Sequence, residues 1–185
     1  YNSSVNRSQM NLLDSHDVPR AMNTLEGDVE ALKLALFFLF LSPGAPCIYY
    51  GTEIGLDGGE EPGCREAFPW EKRWNIDLRV FIKELAFIRS NFLPFLRKGM
   101  QWEALDLNGI YGWIDDGESQ ISEQRKISVF INRSRKSWVK IPAFSYDPYF
   151  LEGKLELPKK GLGPQSAALF FKPGIEKRIP KTFPN

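Results

Sequence analysis

The chain has 185 residues, 24 Lys and Arg against 23 Asp and Glu, a formal net charge of +1, and 43% hydrophobic with 14% aromatic residues. That composition excludes a disordered segment, and the balanced charge, with a pI near 7.9, leaves no basic footprint for a nucleic acid or an anionic membrane. Leu34 to Thr52 carries no charge, but Ser42-Pro43-Gly44-Ala45-Pro46 breaks it and the unbroken apolar part ends at Leu41, so no transmembrane span is expected. Two cysteines, Cys47 and Cys64, are too few for a disulfide framework and provide no second ligand pair for zinc. The chain opens at Tyr1 without Met, and no basic segment followed by an apolar one marks a signal peptide. A start of this kind is expected of a piece of a longer protein.

In chain order, Met10-Asn11-Leu12-Leu13 reads as a buried strand that runs into the polar string Asp14-Ser15-His16-Asp17. Asp28 is the expected N-cap of a helix with Val29, Leu32, Leu36 and Leu39 along one face. Phe37-Phe38-Leu39-Phe40 makes that helix apolar on nearly all sides, which predicts burial on more than one face, and Pro43-Gly44 should end it. Pro46 to Gly51 reads as a strand apolar on both faces, which suits a parallel sheet. A long glycine-rich loop follows, from Gly55 through Pro62-Gly63 to Phe68-Pro69-Trp70, and loops of this length tend to be functional. Asp77 is the expected cap of the next helix, whose stripe is Leu78, Phe81, Ile82, Leu85 and Ile88 or Arg89, closed by Asn91 and Pro94.

After Lys98-Gly99 the rhythm changes to short strands around Trp102, Ile110–Ile114, Ile127–Ile131, Trp138–Ile141, Leu155–Leu157 and Ala167–Phe171. Turn residues such as Asp116-Gly117, Gly153 and Gly161-Leu162-Gly163-Pro164 separate them, so an antiparallel sheet or sandwich is expected. Gly117 to Lys126 is polar and reads as a hairpin tip.

In parallel β/α architectures ligands bind where strands end and loops begin. Two predicted strands deliver polar groups there: His16 and Asp17 after the first, Thr52 and Glu53 after the second, with Asp57, Glu60, Glu61 and Arg65 added by the long loop. Neighbouring carboxylates beside an imidazole suit acid–base or cation-stabilising chemistry. The same His-Asp pair is also compatible with a simple hydrogen-bonded pair or a helix cap. Phe68 and Trp70 read first as loop packing and only second as a ligand-stacking platform. Cys47 reads as a small buried apolar residue and Cys64 as a candidate exposed thiol, with any pairing between them left open. Asn2, Asn6 and Asn132 each open an Asn-X-Ser pattern, which chance explains adequately.

Taken together, Met10-Asn-Leu-Leu-Asp-Ser-His-Asp-Val-Pro-Arg20, Gly44-Ala-Pro-Cys-Ile-Tyr-Tyr-Gly-Thr-Glu-Ile-Gly-Leu56, Asp57-Gly-Gly-Glu-Glu-Pro-Gly-Cys-Arg65 and Phe68-Pro-Trp70 resemble the α-amylase superfamily, glycoside hydrolase family thirteen. They look most like its neopullulanase, cyclomaltodextrinase and maltogenic amylase branch. The resemblance covers Met10 to Lys98 closely and the β module loosely. It implies a fold class of α/β plus all-β. Residues 1–99 would be the C-terminal part of a (β/α)8 barrel, strands seven and eight with their helices, and residues 100–185 an antiparallel β-sandwich.

By the same resemblance Asp17 is the family's third catalytic carboxylate, a transition-state stabiliser, and His16 grips hydroxyls of the same sugar. A fixed anion beside an oxocarbenium-like centre, with contacts that tighten as the ring flattens, is physically apt. Arg65 and Glu61 fall where the branch has a loop pair contacting the next sugar, although the branch usually has Asp at the place of Glu61. Thr52 stands where an acidic residue commonly precedes Glu53. Glu53, with Tyr50, is therefore expected to organise the barrel mouth as a structural group. The family's nucleophilic Asp and acid Glu lie on earlier strands and have no counterpart here, and a barrel takes ~250 residues.

The expectation is thus a C-terminal fragment of a retaining α-glucan hydrolase acting on α-1,4 and also α-1,6 bonds of cyclodextrin, pullulan or starch. The fragment is expected to be inactive alone. The alternatives are a non-catalytic glycan-binding or complementing subunit, and a 4-α-glucanotransferase as the parent. The implied partners are an α-glucan oligosaccharide or cyclodextrin and the missing N-terminal barrel half, with no nucleic acid and no membrane. No cofactor is implied; calcium stays open for the parent, with no ligand assignable to these residues. The branch implies a cytoplasmic setting and a parent homodimer.

Overall fold

A computed structural model describes residues 3–70, 74–114 and 127–171. The chain falls into two units, Tyr1–Ser90 and Asn91–Asn185.

In the first unit, helix α1 (Ser3–Ser8) leads into the two-residue strand β1 (Met10–Asn11), and a short helix α2 (Ala21–Thr24) follows. Helix α3 (Val29–Leu41) begins as its sequence dictates, with the Asp28 carboxylate accepting from the Ala31 amide at 3.0 Å. Leu32, Leu34, Leu36, Phe37, Leu39, Phe40 and Leu41 are all buried, which cannot happen on a single stripe, so more than one face of the helix is covered. The helix ends at Ser42, and strand β2 (Ala45–Pro46) then pairs with β1 in parallel, Met10 opposite Ala45 and Asn11 opposite Pro46.

Parallel pairing is as expected, but both strands are shorter than their apolar runs. Met10 is 65% exposed and Leu12 41%, while Cys47, Ile48 and Tyr49 are half-buried. Two strands alone cannot enclose both faces of one another, so the two-sided apolar pattern is left partly uncovered among the described residues. After Tyr50 the chain turns at Gly51, φ +88°, into a 3-10 turn at Thr52–Ile54. A Cβ on Gly51 would sit 2.6 Å from the Leu56 side chain, so only glycine fits this turn.

Helix α4 (Ile76–Leu96) corrects two expectations. Its cap is Asn75, whose side chain accepts from the Leu78 amide at 2.9 Å, and Asp77 lies in the first turn, where its charge suits the helix dipole. Pro94 lies inside the helix rather than closing it. Proline forfeits one amide bond, but the Arg97 amide still reaches the Leu93 carbonyl at 3.0 Å, so the last turn persists. Leu78, Phe81, Leu85 and Ile88 form the buried stripe. Arg89 does not extend that stripe. Its guanidinium donates to the carbonyls of Phe40 and Gly44, and to that of Ser42 at 3.1 Å. It thereby satisfies the carbonyl end of α3 with a cation. Burial lowers the affinity of this guanidinium for its proton, yet arginine stays charged at neutral pH.

A second tie joins the segments that follow the two strands. Asp14, 2% exposed, accepts from the Ala21 amide at 2.9 Å, and the Thr52 hydroxyl, also 2% exposed, lies 2.9 Å from each of its carboxylate oxygens.

The second unit is built on a five-stranded antiparallel sheet in the order β3-β4-β5-β9-β6. Its strands are β3 (Gln101–Ala104), β4 (Gly109–Ile114), β5 (Ile127–Asn132), β6 (Phe150–Glu152) and β9 (Ser166–Phe171). A two-stranded ribbon pairs β7 (Leu155–Glu156) with β8 (Gly161–Leu162). Every residue of β5 and β9 is buried. On one face Tyr111, Phe130, Ala168 and Phe170 pack with Leu162, Phe144 and Tyr146. The rings of Tyr111 and Phe130, opposed across β4 and β5, stack at 4.8 Å, and those of Phe144 and Phe170 at 4.0 Å. On the other face, Phe171 meets Phe92 at 5.0 Å and Phe95 at 5.7 Å.

The strand expected over Trp138–Ile141 is only a single bridge between Val139 and Leu162. Gly161 and Leu162, read from sequence as a turn, form β8 instead, with Leu162 fully buried in the aromatic core. Asn132 is fully buried and its amide donates to the carbonyls of Ser137, Leu162 and Gly163, so its Asn-X-Ser pattern serves packing. The hairpin tip expected at Gly117 to Lys126 lies outside the described residues.

Substitutions at two positions test these ties. Arg89→Met should cost about 2 kcal/mol or more, because three carbonyls lose a charged donor, and Arg89→Lys should recover part of it; the check is the urea midpoint by circular dichroism. Thr52→Val should cost about 1–2 kcal/mol by leaving the Asp14 carboxylate short of a donor, whereas Thr52→Ser should be close to neutral in the same experiment.

Candidate active site

The loop after β1 is pinned at both ends. Asp14 anchors its start to Thr52 and to the amide of Ala21 at the head of α2. Arg20, fully buried, anchors its end: its amide donates to the Gly58 carbonyl at 2.8 Å and its guanidinium donates to the Tyr50 carbonyl. The guanidinium carbon lies 4.1 Å from the centre of the Tyr49 ring and 4.5 Å from that of Tyr50, so two aromatic faces take the place of a counter-ion. Ring burial and the hydrogen bond with Tyr50 push the Tyr49 hydroxyl above the usual tyrosine range, opposed by the Arg20 charge.

Between those anchors His16 and Asp17 stand clear, their side chains 63% and 67% exposed. His16 Nε2 lies 3.2 Å from Asp17 Oδ1, and Arg65 Nη2 lies 3.5 Å from the same oxygen. Arg65 Nη1 holds Glu61 Oε1 at 2.7 Å, and its Nε donates to the His16 carbonyl at 2.9 Å. That carbonyl also accepts from the Cys64 thiol at 3.2 Å. The four sequence-predicted residues His16, Asp17, Glu61 and Arg65 therefore form one network, with Arg65 as the link between two loops far apart in sequence. Both ion pairs to Asp17 fall on Oδ1, and among the described residues no partner falls on Oδ2. Solvent screening makes such exposed pairs worth less than about 1 kcal/mol to stability. Their value is orientation: a carboxylate held toward solvent with one oxygen open can face a developing cation.

Tyr50 and Glu53 are not brought into this network. Tyr50 donates its hydroxyl to the Glu66 carbonyl at 2.8 Å. Glu53 sits in the 3-10 turn with its Oε2 enclosed and without a hydrogen-bond partner among the described residues. Both line a cleft of about 450 Å³ with Phe68, Trp70, Trp74 and Arg79. Phe68 packs within the loop as expected, but Trp70 stays 74% exposed. The two cysteines exchange their expected places: Cys64 is fully buried under the His16 carbonyl and Cys47 is half-buried, and both are free thiols. Among the described residues no group of three His, Cys, Asp or Glu side chains is arranged to hold a metal ion.

Sequence reasoning assigned no role to Asp14 or Arg20. Asp14 lay in a polar string that reads as solvated loop, and only its burial against Thr52 distinguishes it from a surface acid. Among the described residues no helix is long and apolar enough to cross a membrane.

The model for the α-amylase catalytic domain matches residues 1–134. The chain is similar to the intracellular maltogenic amylase of Bacillus subtilis, 43% identical over 104 residues, which are 55% of this chain and 18% of that protein. Against the maltogenic α-amylase of Bacillus acidopullulyticus it is 43% identical over 138 residues, 74% of this chain and 23% of that one. Among solved structures, the debranching enzyme of Nostoc punctiforme superposes with a TM-score of 0.71 at 28% identity, over 93% of this chain and 37% of its own. The chain thus spans about a fifth of the length of these curated relatives. With the match to the catalytic-domain model and relatives named maltogenic amylase, cyclomaltodextrinase and neopullulanase, the chain belongs to the α-amylase family of glycoside hydrolases.

Proposed function

We propose that these residues form the C-terminal part of a retaining α-glucan hydrolase that cleaves α-1,4 and α-1,6 glucosidic bonds of cyclodextrin, pullulan or starch. In this reading residues 1–99 are the last strands and helices of a (β/α)8 barrel and residues 100–185 a β-sandwich domain. The protein works in the cytoplasm, in keeping with the relative described as intracellular.

The observation that carries the reading is the placement of Asp17. It follows the carboxyl end of a parallel strand, is two-thirds exposed, and is braced through Oδ1 by His16 and Arg65. Loops at the carboxyl edge of parallel strands are where barrel enzymes bind their ligands. As the glycosidic bond breaks, the sugar ring flattens and gains positive charge. A carboxylate already oriented by its partners stabilises that charge without having to reorganise. His16 donates to hydroxyls of the same ring, and Arg65 with Glu61 contacts the neighbouring sugar. The group that attacks and the group that protonates the leaving oxygen come from polypeptide outside these residues. Two further carboxyls flanking the scissile bond are required by the chemistry, and none of the residues assigned here takes those roles.

Two expected outcomes test this. The 185-residue chain alone should give no turnover of cyclodextrin, pullulan or starch in a reducing-sugar assay. In a longer polypeptide carrying both further carboxyls, Asp17→Asn should lower kcat at least about a hundredfold with little change in folding by circular dichroism; undiminished hydrolysis would overturn the assignment.

A further inference from the structure

The peptide bond that joins His16 to Asp17 is held on both of its sides. A peptide unit is a rigid plane, so whatever fixes its oxygen and its amide also fixes the directions in which the Cα atoms of both residues leave it. On the oxygen side, the His16 carbonyl accepts from the Cys64 thiol at 3.2 Å and from Arg65 Nε at 2.9 Å, one donor for each of its two lone pairs. On the amide side, the Asp17 N–H donates to the Ser15 hydroxyl oxygen at 3.1 Å.

The two donors to that carbonyl differ in what else they do. Arg65 spreads its guanidinium over Glu61 and Asp17 and keeps 43% of its side chain in solvent, so a ligand that engages Arg65 competes with its hold on the peptide. Cys64 is fully buried and cannot touch a sugar, and further polypeptide can only deepen that burial. It is carried by the single 3-10 turn Gly63–Arg65, in which the Arg65 amide donates to the Pro62 carbonyl at 2.9 Å. Gly58 backs this turn so closely that a Cβ there would stand 2.5 Å from the Gly63 carbonyl oxygen. The Gly58 carbonyl in turn accepts the Arg20 amide. The thiol therefore sits on backbone tied to the same buried arginine that closes the loop bearing His16 and Asp17.

We infer that Cys64 and Ser15 are positioning residues for the reaction: together they fix the plane of the His16–Asp17 peptide and so aim both side chains. The inference rests on the proposed roles of His16 and Asp17 and deepens them, because Arg65 is free to serve the neighbouring sugar while the thiol keeps the peptide in place. A carboxylate that stabilises developing charge acts through its fixed orientation, and a displacement of about 1 Å costs up to roughly a hundredfold in rate.

The test has two readouts. In NMR of the 185-residue chain, Cys64→Ala should shift the His16 carbonyl carbon upfield, as a lost hydrogen bond does, and Cys64→Ser, which keeps a donor, should shift it less. In the longer polypeptide carrying both further carboxyls, Cys64→Ala should lower kcat roughly tenfold with KM nearly unchanged, and Cys64→Ser should restore most of the loss. Ser15→Ala, at a half-buried position outside the core, should lower kcat in the same way but less. Because the thiol acts through the peptide, adding Cys64→Ala to Asp17→Asn should cost far less than it does in the unaltered enzyme. An unshifted His16 carbonyl carbon overturns the inference. So does a kcat unmoved by Cys64→Ala and Ser15→Ala while Asp17→Asn is impaired, which leaves the role of Asp17 standing. The full loss repeated on top of Asp17→Asn also overturns it, since the thiol then acts elsewhere. If Cys64→Ala fails to fold, the kcat of Ser15→Ala decides in the same sense. Undiminished hydrolysis by Asp17→Asn removes the role of Asp17 and the inference with it.

Discussion

The candidate site depends on one buried polar contact, the Asp14 carboxylate shared between the Thr52 hydroxyl and the Ala21 amide. A carboxylate in this position needs every donor it can find, because water does not reach it. Its two donors come from different parts of the chain, so meeting that need also fixes where the loop after β1 leaves the strand pair and where α2 begins. Arg20 closes the same loop at its other end by a carbonyl contact and two tyrosine faces. Between these anchors His16 and Asp17 protrude, with little freedom to choose their direction.

This arrangement separates groups that hold the loop from groups that are proposed to act. Asp14, Thr52 and Arg20 are buried and matter to stability. His16, Asp17, Glu61 and Arg65 are solvent-exposed, and their ion pairs are screened. That is the arrangement expected of a site that must exchange water for a polyol. In the proposed function these groups are desolvated only when a ligand arrives, and their orientation is inherited from the layer beneath. The second unit follows a different logic, in which aromatic residues on both faces of one sheet bury two of its three inner strands, β5 and β9, along their whole length.

Much of this was legible along the chain. Asp28 as a cap, the apolar surface of α3, the stripe of α4 and the central strands of the β unit all follow local rules of capping and periodicity. The motif residues His16, Asp17, Glu61 and Arg65 could be named from their order. Errors fell where two local signals competed. Asn75 took the cap expected of Asp77, and Pro94 was accommodated because one missing amide bond does not end a helix already packed through Phe92 and Leu96. Gly161 and Leu162 looked like a turn because two residues are too few to show a period.

By itself, then, the sequence determined the two long helices, the central strands, the family and the identity of the polar residues at the strand ends. These depend on neighbours a few positions away or on a recognisable string. Only the tertiary structure decided that Asp14 is buried and His16 is not, that Cys64 rather than Cys47 is enclosed, and that Arg65 bridges Asp17 and Glu61. It also set Glu53 among aromatic rings, apart from the Asp17 network. The reason is physical: burial and ion pairing are set by which segments meet in space, and an acid in a polar string carries no local mark of the hydroxyl that will reach it from the far side of a helix.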